Sequence, residues 1–384
     1  MLYESARLAD FSFSEAPLSR KRMDSSFLTL VLLLLTMGVI MVLSSSYARA
    51  YYDPGSITGG NPVYFFVRQL VYALLGTAAM IGASFLPLEL YKKYAFPFLG
   101  AVIVLLLLVP LIGVKANGAR RWIGAGGLTV QPSELAKLAV IVSFSAMISK
   151  NKTGMRTLRY GIIPFAAVIA VIIGLLVLEP HFSASVIIAA IGAVMMFLGG
   201  VRLIWFVSAF LIAGGGITVL LTMFPYASER IVTWRDPFAS SSDEGYQIVQ
   251  SLYSIGSGGL SGLGLGGSRQ KFLYLPEEHN DFIFSVLCEE TGFIGAALVI
   301  VLFSLLILRG YWIALHCKDA FSFLVCAGIS SLLAVQVFLN IAVVTNLIPC
   351  TGISLPFFSY GGTALMLELF EMGIILSASR NIIY

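Results

Sequence analysis

Arg20 to Ser46, RKRMDSSFLTLVLLLLTMGVIMVLSSS, decides the fold class: basic residues lead into a run from Ser25 to Ser46 that carries no charge. A helix needs about 20 apolar residues to cross about 30 Å of hydrocarbon, and 27–46 has that length. No small-residue cleavage site follows, so the segment reads as an uncleaved anchor with a cytoplasmic N-terminus. The same test selects 63–86, 94–113, 133–149, 160–178, 183–200, 203–224, 281–308, 320–345 and 362–379. The expectation is an all-α polytopic membrane protein of about ten transmembrane helices, with a long outer loop between the seventh and eighth. It forms one domain over 1–384, with 1–25 a cytoplasmic tail and 225–280 the large outer loop.

Composition agrees. Hydrophobic residues make up 58% of the chain and charged residues 11%, with a mean hydropathy of +0.92, where soluble domains carry about a quarter charged residues. A net charge of +4 gives no nucleic-acid footprint. Alternation of the spans places Lys92, Lys93, Lys150, Lys152, Arg156, Arg159, Arg202, Arg309, Lys318 and Arg380 inside, in short basic loops, so both termini are expected in the cytoplasm. Cys288, Cys317, Cys326 and Cys350 form no CxxC pair, so neither a disulfide framework nor a zinc site follows.

The outer segment 225–280 holds Glu229, Arg230, Arg235, Asp236, Asp243, Glu244, Arg269, Lys271, Glu277 and Glu278. Loops beyond about 15 residues are uncommon unless functional or disordered, which makes it a functional candidate. Within it, GYQIVQSLYSI (245–255) has the pattern of a short helix, lying in the membrane interface or packed on the bundle. GSGGLSGLGLGG (256–267) contains a GxGxxG-like string, but it has no βαβ context and no following Gly-Lys-Ser/Thr, so it is not read as a nucleotide site.

PEEHNDFIF (276–284) meets the start of the eighth span, and Asp281, Ser285 and Glu289 recur on one helix face over about 12 Å. A carboxylate in a span is expensive and faces a bundle interior or a wet cavity. Function is the default reading for Asp281 at the mouth, whereas Glu289 and Glu290 serve equally well as partners of a neighbouring helix. NGARRWIGAGGLTVQPSELAK (117–137) sets Arg120, Arg121 and Trp122 at the outer boundary and opens a helix at Pro132. Ser133, Glu134 and Lys137 share a side of that helix. They suit either an anionic headgroup or a structural ion pair, with Trp122 as a belt anchor. Gln336 and Asn340, then Glu368 and Glu371, pair on two later spans, the first pair suiting interhelical hydrogen bonds. PCTGISLPFFSYGG (349–362) suits a re-entrant turn buried against the bundle.

The strings GARRWIG, QPSELAK, GYQIVQSLYSIGSGGLSGLGLGGSRQKFLYLPEEHNDFIF and GISLPFFSYGG closely resemble the signatures of the SEDS family (shape, elongation, division and sporulation), from roughly residue 25 onward. GSRQKFLYLPEEHNDFIF is more similar to the division and sporulation members than to the elongation member. The resemblance implies a peptidoglycan glycosyltransferase that polymerises lipid II on the outer face of the bacterial cytoplasmic (inner) membrane, at the division septum. It also implies a class B penicillin-binding protein (an FtsI-like transpeptidase) and other divisome proteins as partners. By motif, the family's essential Asp corresponds to Asp281, its outer-loop Trp to Trp122, and its QPSE-x-AK acid and base to Glu134 and Lys137. Three departures stand out: Asn280 where Thr is usual, Thr363 where Ser is usual, and Glu179-Pro180-His181-Phe182-Ser183 where Pro-Asp-Phe-Gly is common.

Glycosyl transfer from lipid II needs a base for the acceptor 4-hydroxyl and cations for the departing pyrophosphate. Asp281 is the candidate base. Arg120, Arg121, Lys137, Arg269 and Lys271 are the available cations, unranked by sequence, and a divalent ion (Mg or Mn) bridging pyrophosphate and a carboxylate fits general phosphate chemistry. One carboxylate suffices because pyrophosphate leaves readily. Of two Ser-x-x-Lys strings, 149–152 lies on the cytoplasmic side and 268–271 has no Lys-Thr-Gly on its own face, so crosslinking is assigned to another polypeptide. A lipid II flippase, for which Asp281 should lie at the bilayer midplane, and a non-catalytic scaffold remain as alternatives.

Overall fold

Uncharged length becomes helix along most of the chain. The structure is a computed structural model and describes residues 23–52, 58–116, 119–125, 128–208, 232–239 and 244–382. Its helices are α1 (Ser25–Tyr52), α2 (Tyr64–Phe85), α3 (Leu88–Ile112), α4 (Pro132–Lys150), α5 (Leu158–Gly161), α6 (Ile163–Leu178), α7 (Phe182–Leu198), α8 (Glu244–Ser257), α9 (Ile283–Leu315), α10 (Ala320–Val344) and α11 (Thr363–Ser379). Seven candidate spans are long and apolar enough to cross a membrane: α1, α2, α3, α4, Leu158–Leu178, α9 and α10. The apolar α7 and the Glu-bearing α11 have 17 residues each. The chain is a multi-pass, all-α membrane protein. Of the expected span at 203–224, only 203–208 are described, and these are helical; the remainder, with Glu229, Arg230 and Asp243, lies outside the described residues.

The most buried spans are α4 and α10, which pack against each other and against α7. Small residues set the close contacts. A Cβ on Gly38 of α1 would lie 2.2 Å from the Phe357 carbonyl oxygen, so only glycine admits the 349–361 segment there. Phe357 and Phe358 are accordingly buried halfway along α1, which makes this segment the expected re-entrant turn.

Two regions differ from the sequence reading. The expected straight eighth span is broken: Gly292 inside α9 has φ 65° and ψ −168°. The break is built by the glycine-rich segment, which docks backbone on backbone. Leu263 and Gly264 N–H groups donate to the Glu289 and Glu290 carbonyls, and Phe293 and Ile294 N–H groups donate to Gly259 and Leu260. A Cβ on Gly262 would meet the Glu290 carbonyl oxygen at 2.2 Å, so the string serves close approach. The second difference is a three-stranded antiparallel sheet in the outer 114–132 segment: β1 (Val114–Ala116), β2 (Ala119–Ala125) and β3 (Leu128–Val130). Asn117-Gly118 and Gly126-Gly127 separate the strands in sequence, and such dipeptides favour two-residue hairpins.

The helix GYQIVQSLYSI, now α8, packs on the bundle rather than floating in the interface. Its buried face is polar as well as apolar. Ser251 Oγ donates to the Val344 carbonyl at 2.7 Å, and Ser254 Oγ to that of Ser285 at 3.0 Å, beside buried Ile248.

Candidate functional site

Asp281 sits two residues before α9, beyond the Gly292 break. At the far end of α9, Arg309 Nη2 meets Asp24 Oδ2 at 2.6 Å. The helix between break and ion pair covers about 24 Å, most of a hydrocarbon thickness, so Asp281 lies past one end of the span rather than at its midplane. Its position is fixed through the backbone. Asn340 Nδ2 of α10 donates to the Asp281 carbonyl at 2.8 Å and to Ile353 at 2.6 Å. Ser359 Oγ donates to the Asn280 carbonyl at 2.8 Å, and the Tyr360 N–H to His279 at 2.9 Å. The re-entrant turn thus clamps the acidic segment. Gly352, at φ +60°, faces the Asp281 carboxylate so closely that a Cβ would stand 3.1 Å from Oδ2.

The half-buried Asp281 carboxyl is pushed up to about 6, first by burial and then by Glu277, against the pull of His279 and Arg121. Arg121, on β2, is a cation within electrostatic reach of it, and Glu179 feels the same guanidinium. Arg121 Nη2 donates to the Pro180 carbonyl at 2.5 Å, which ties the sheet to the 179–181 turn. Glu179 is 2% exposed, neither of its oxygens has a hydrogen-bond partner, and burial pushes it up to about 7. Burial and the nearby Arg121 and Lys137 push His181 down to about 3, so a neutral imidazole stands where the family commonly has Asp. It lies 3.4 Å from Gln131 Nε2. Ser183 donates to the Thr351 carbonyl. Buried polar atoms without partners are rare, yet Glu179, Arg121 Nε, His181 Nδ1, Ser133 Oγ and Thr351 Oγ1 are all unpartnered in this part of the molecule.

The other sequence candidates are placed as follows. Lys137, 3% exposed, pairs with Glu134 at 2.6 Å in α4, and Glu368 and Glu371 of α11 lie within electrostatic reach. Glu368 also accepts the Phe357 N–H at 3.0 Å, holding the re-entrant turn. Lys271 is away from Asp281: its Nζ meets Glu290 Oε1 at 2.8 Å, both side chains buried. Glu289 is fully engaged by Ser254, Ser268 and the N–H groups of Arg269 and Gln270, and Asp281 lies in a turn before α9, so the two share neither the expected helix face nor a site. Arg269 is exposed, as is Arg120, whose Nη1 donates to the Pro110 carbonyl at 3.1 Å. Trp122 is half-buried on β2 opposite Val114. Of the departures, Thr363 Oγ1 donates to the Thr129 carbonyl at 2.7 Å, a bond that a Ser hydroxyl can also make. Sequence reasoning singled out neither Glu179 nor Gly352 as a site residue. Glu179's signal was an acid beside proline in a four-residue outer turn, and Gly352 carried none beyond its turn-rich neighbours.

Among the described residues, no three or more His, Cys, Asp or Glu side chains gather as a metal cage.

A family model described as "Cell cycle protein", named for FtsW, RodA and SpoVE, matches residues 24–383. The chain belongs to this family. The SEDS resemblance of its motifs is thereby borne out over nearly the whole chain. It is 39% identical over 360 residues to the stage V sporulation protein E of Bacillus subtilis (strain 168), covering 93% of this chain and 97% of the relative. It is 36% identical over 364 residues to the probable peptidoglycan glycosyltransferase FtsW of Trichlorobacter lovleyi, covering 94% and 93%. A solved chain described as "Structural coordination of polymerization and crosslinking by a peptidoglycan synthase complex" superposes with a TM-score of 0.78 at 28% identity, covering 94% of this chain and 98% of that one. The rod shape determining protein RodA of Thermus thermophilus superposes at 0.67 with 28% identity and the same coverage.

Proposed function

We propose that this SEDS protein is a peptidoglycan glycosyltransferase that polymerises lipid II on the outer face of the cytoplasmic membrane during septal wall synthesis. The observation that carries the reading is the Asp281 carboxylate past one end of the spans, held by its backbone, within electrostatic reach of Arg121 and near unpartnered buried polar groups. A transport path would put such a group at the midplane.

In the proposed reaction the acceptor sugar's 4-hydroxyl attacks the donor's anomeric carbon while Asp281 takes the hydroxyl proton. The carbon–oxygen bond to pyrophosphate breaks, and the lipid diphosphate leaves with the electron pair. Arg121 is the best-placed cation to stabilise that charge, because Lys137 and Lys271 are already neutralised by Glu134 and Glu290. The exposed Arg120 and Arg269 are free to meet the incoming headgroup, and Trp122 lies beside Arg121 on β2. Crosslinking falls to a class B penicillin-binding protein, in keeping with the polymerisation and crosslinking coordinated in the synthase complex of similar fold.

The test is polymerisation of purified lipid II by the purified protein with its partner. Wild type is expected to make strands. Asp281→Asn, which keeps size and loses basicity, is expected to reach the membrane folded and make none; wild-type strand formation by that variant would sink the assignment.

A further inference from the structure

At the end of the bundle opposite Asp281 lies a cavity of about 380 Å³ that the proposed reaction does not use. It opens where α4 and α7 end and α10 begins. The far ends of the same helices carry Ser133, Ser183 and Asn340 of the site above, and α4 alone separates the two by about 28 Å. Its floor is apolar, with Leu198, Phe323 and Leu324, and its rim carries Lys152 and Lys318. Both lysines are exposed, and neither forms an ion pair among the described residues. Asp319 is the one carboxylate in the lining, and it is already engaged. Its Oδ2 accepts the Ser322 N–H at 2.9 Å and its Oδ1 the Ser322 hydroxyl at 2.6 Å, capping α10. A third cation stands close by, with Lys92 Nζ 5.8 Å from the centre of the Phe321 ring.

We infer that this cavity binds an anionic phospholipid, its phosphate between Lys152 and Lys318 and an acyl chain against Leu198, Phe323 and Leu324. The level is right, since the spans end there and headgroups begin. The charge is right, since basic pockets between helices on the cytoplasmic side suit acidic headgroups, and the α10 N-terminus adds favourable dipole. A soluble anion would use the lysines and leave the apolar floor without purpose. A zwitterionic lipid brings its own cation to the rim and gains nothing from either lysine.

Native mass spectrometry of the purified full chain tests this, with phosphatidylglycerol, cardiolipin, phosphatidylcholine and inorganic phosphate as probes. Binding is read directly, so the result stands apart from whether the protein polymerises lipid II. Wild type should retain both anionic lipids and release phosphatidylcholine. At the attraction usual for one basic residue near an acidic headgroup, Lys152→Gln and Lys318→Gln should each weaken retention roughly fivefold, and the double variant roughly thirtyfold. The double arginine variant keeps the charge and should keep the lipid, while thermal melting checks that every variant is folded. Equal retention of phosphatidylcholine, unchanged retention by the folded double glutamine variant, or full displacement by inorganic phosphate would each overturn the site.

Discussion

Replacing Lys271 by methionine separates two roles for one cation. Sequence placed it among the candidates for the pyrophosphate; the structure buries it. Its Nζ lies 2.8 Å from Glu290 and 3.2 Å from Ser44 Oγ, and Ser44 lies 2.7 Å from both Glu290 oxygens. Side-chain exposure is 4% for Lys271 and 0% for Glu290, so water cannot take over when the ammonium is removed. Breaking a buried pair from one side costs about 3–5 kcal/mol, against a total stability of about 5–15 kcal/mol. The expected outcome is poor accumulation and a melting transition lowered by several degrees, measured on purified protein in detergent beside its polymerisation rate. Adding Glu290→Gln should recover much of both, because no uncompensated charge remains. A Lys271→Met protein that melts like wild type yet makes no glycan would refute the reasoning and return Lys271 to the substrate.

With Asp281 pushed up to about 6 and proposed as the carboxylate base, protonation removes the base: the rate should fall as pH drops through about 6, not near the ordinary 3.8. Glu277→Gln takes away the neighbouring negative charge and should move that acid limb to lower pH. Gly352→Ala puts a methyl against Asp281 Oδ2 at a positive φ, and strand synthesis should fall more than melting temperature; equal loss of both would mean a purely structural effect. Lys137→Met strands Glu134 close to Glu368 and Glu371, and activity should fall further than expression does if the α4 pair serves substrate. Lipid II polymerisation should rise when the class B penicillin-binding protein is added, and an unchanged rate without copurification would dismiss partner activation.

Span positions were legible because their signal is local: about 20 uncharged residues must be a helix wherever hydrocarbon surrounds them. Pro132 marked the start of α4 for an equally local reason, since proline costs nothing at a first turn. The Gly292 break was not legible, because its cause sits about thirty residues away in 259–264, and only the folded chain shows that those backbones touch. The same distance hid the fate of Lys271 and Glu290. Helical spacing aligned Asp281, Ser285 and Glu289 on one face but could not say that α8 covers the last two. Glu179 was overlooked because a lone acid in a short outer turn reads as solvated surface.

What distinguishes architecture from chemistry here is whether a buried carboxylate has been satisfied. Glu289 accepts from two hydroxyls and two backbone N–H groups, Glu290 from Lys271 and Ser44, Glu368 from the Phe357 N–H, and Glu134 from Lys137. Each has met the cost of its desolvation through partners within the chain, and Glu290 joins segments far apart in sequence through Ser44. Among the described residues no hydrogen bond reaches the Asp281 carboxylate, and neither oxygen of Glu179 has one. Both lie within electrostatic reach of Arg121. Asp281 and Glu179, left open beside Arg121, are available for a ligand, and a sugar hydroxyl beside a diphosphate supplies what they lack: a proton to accept and a charge for Arg121 to balance.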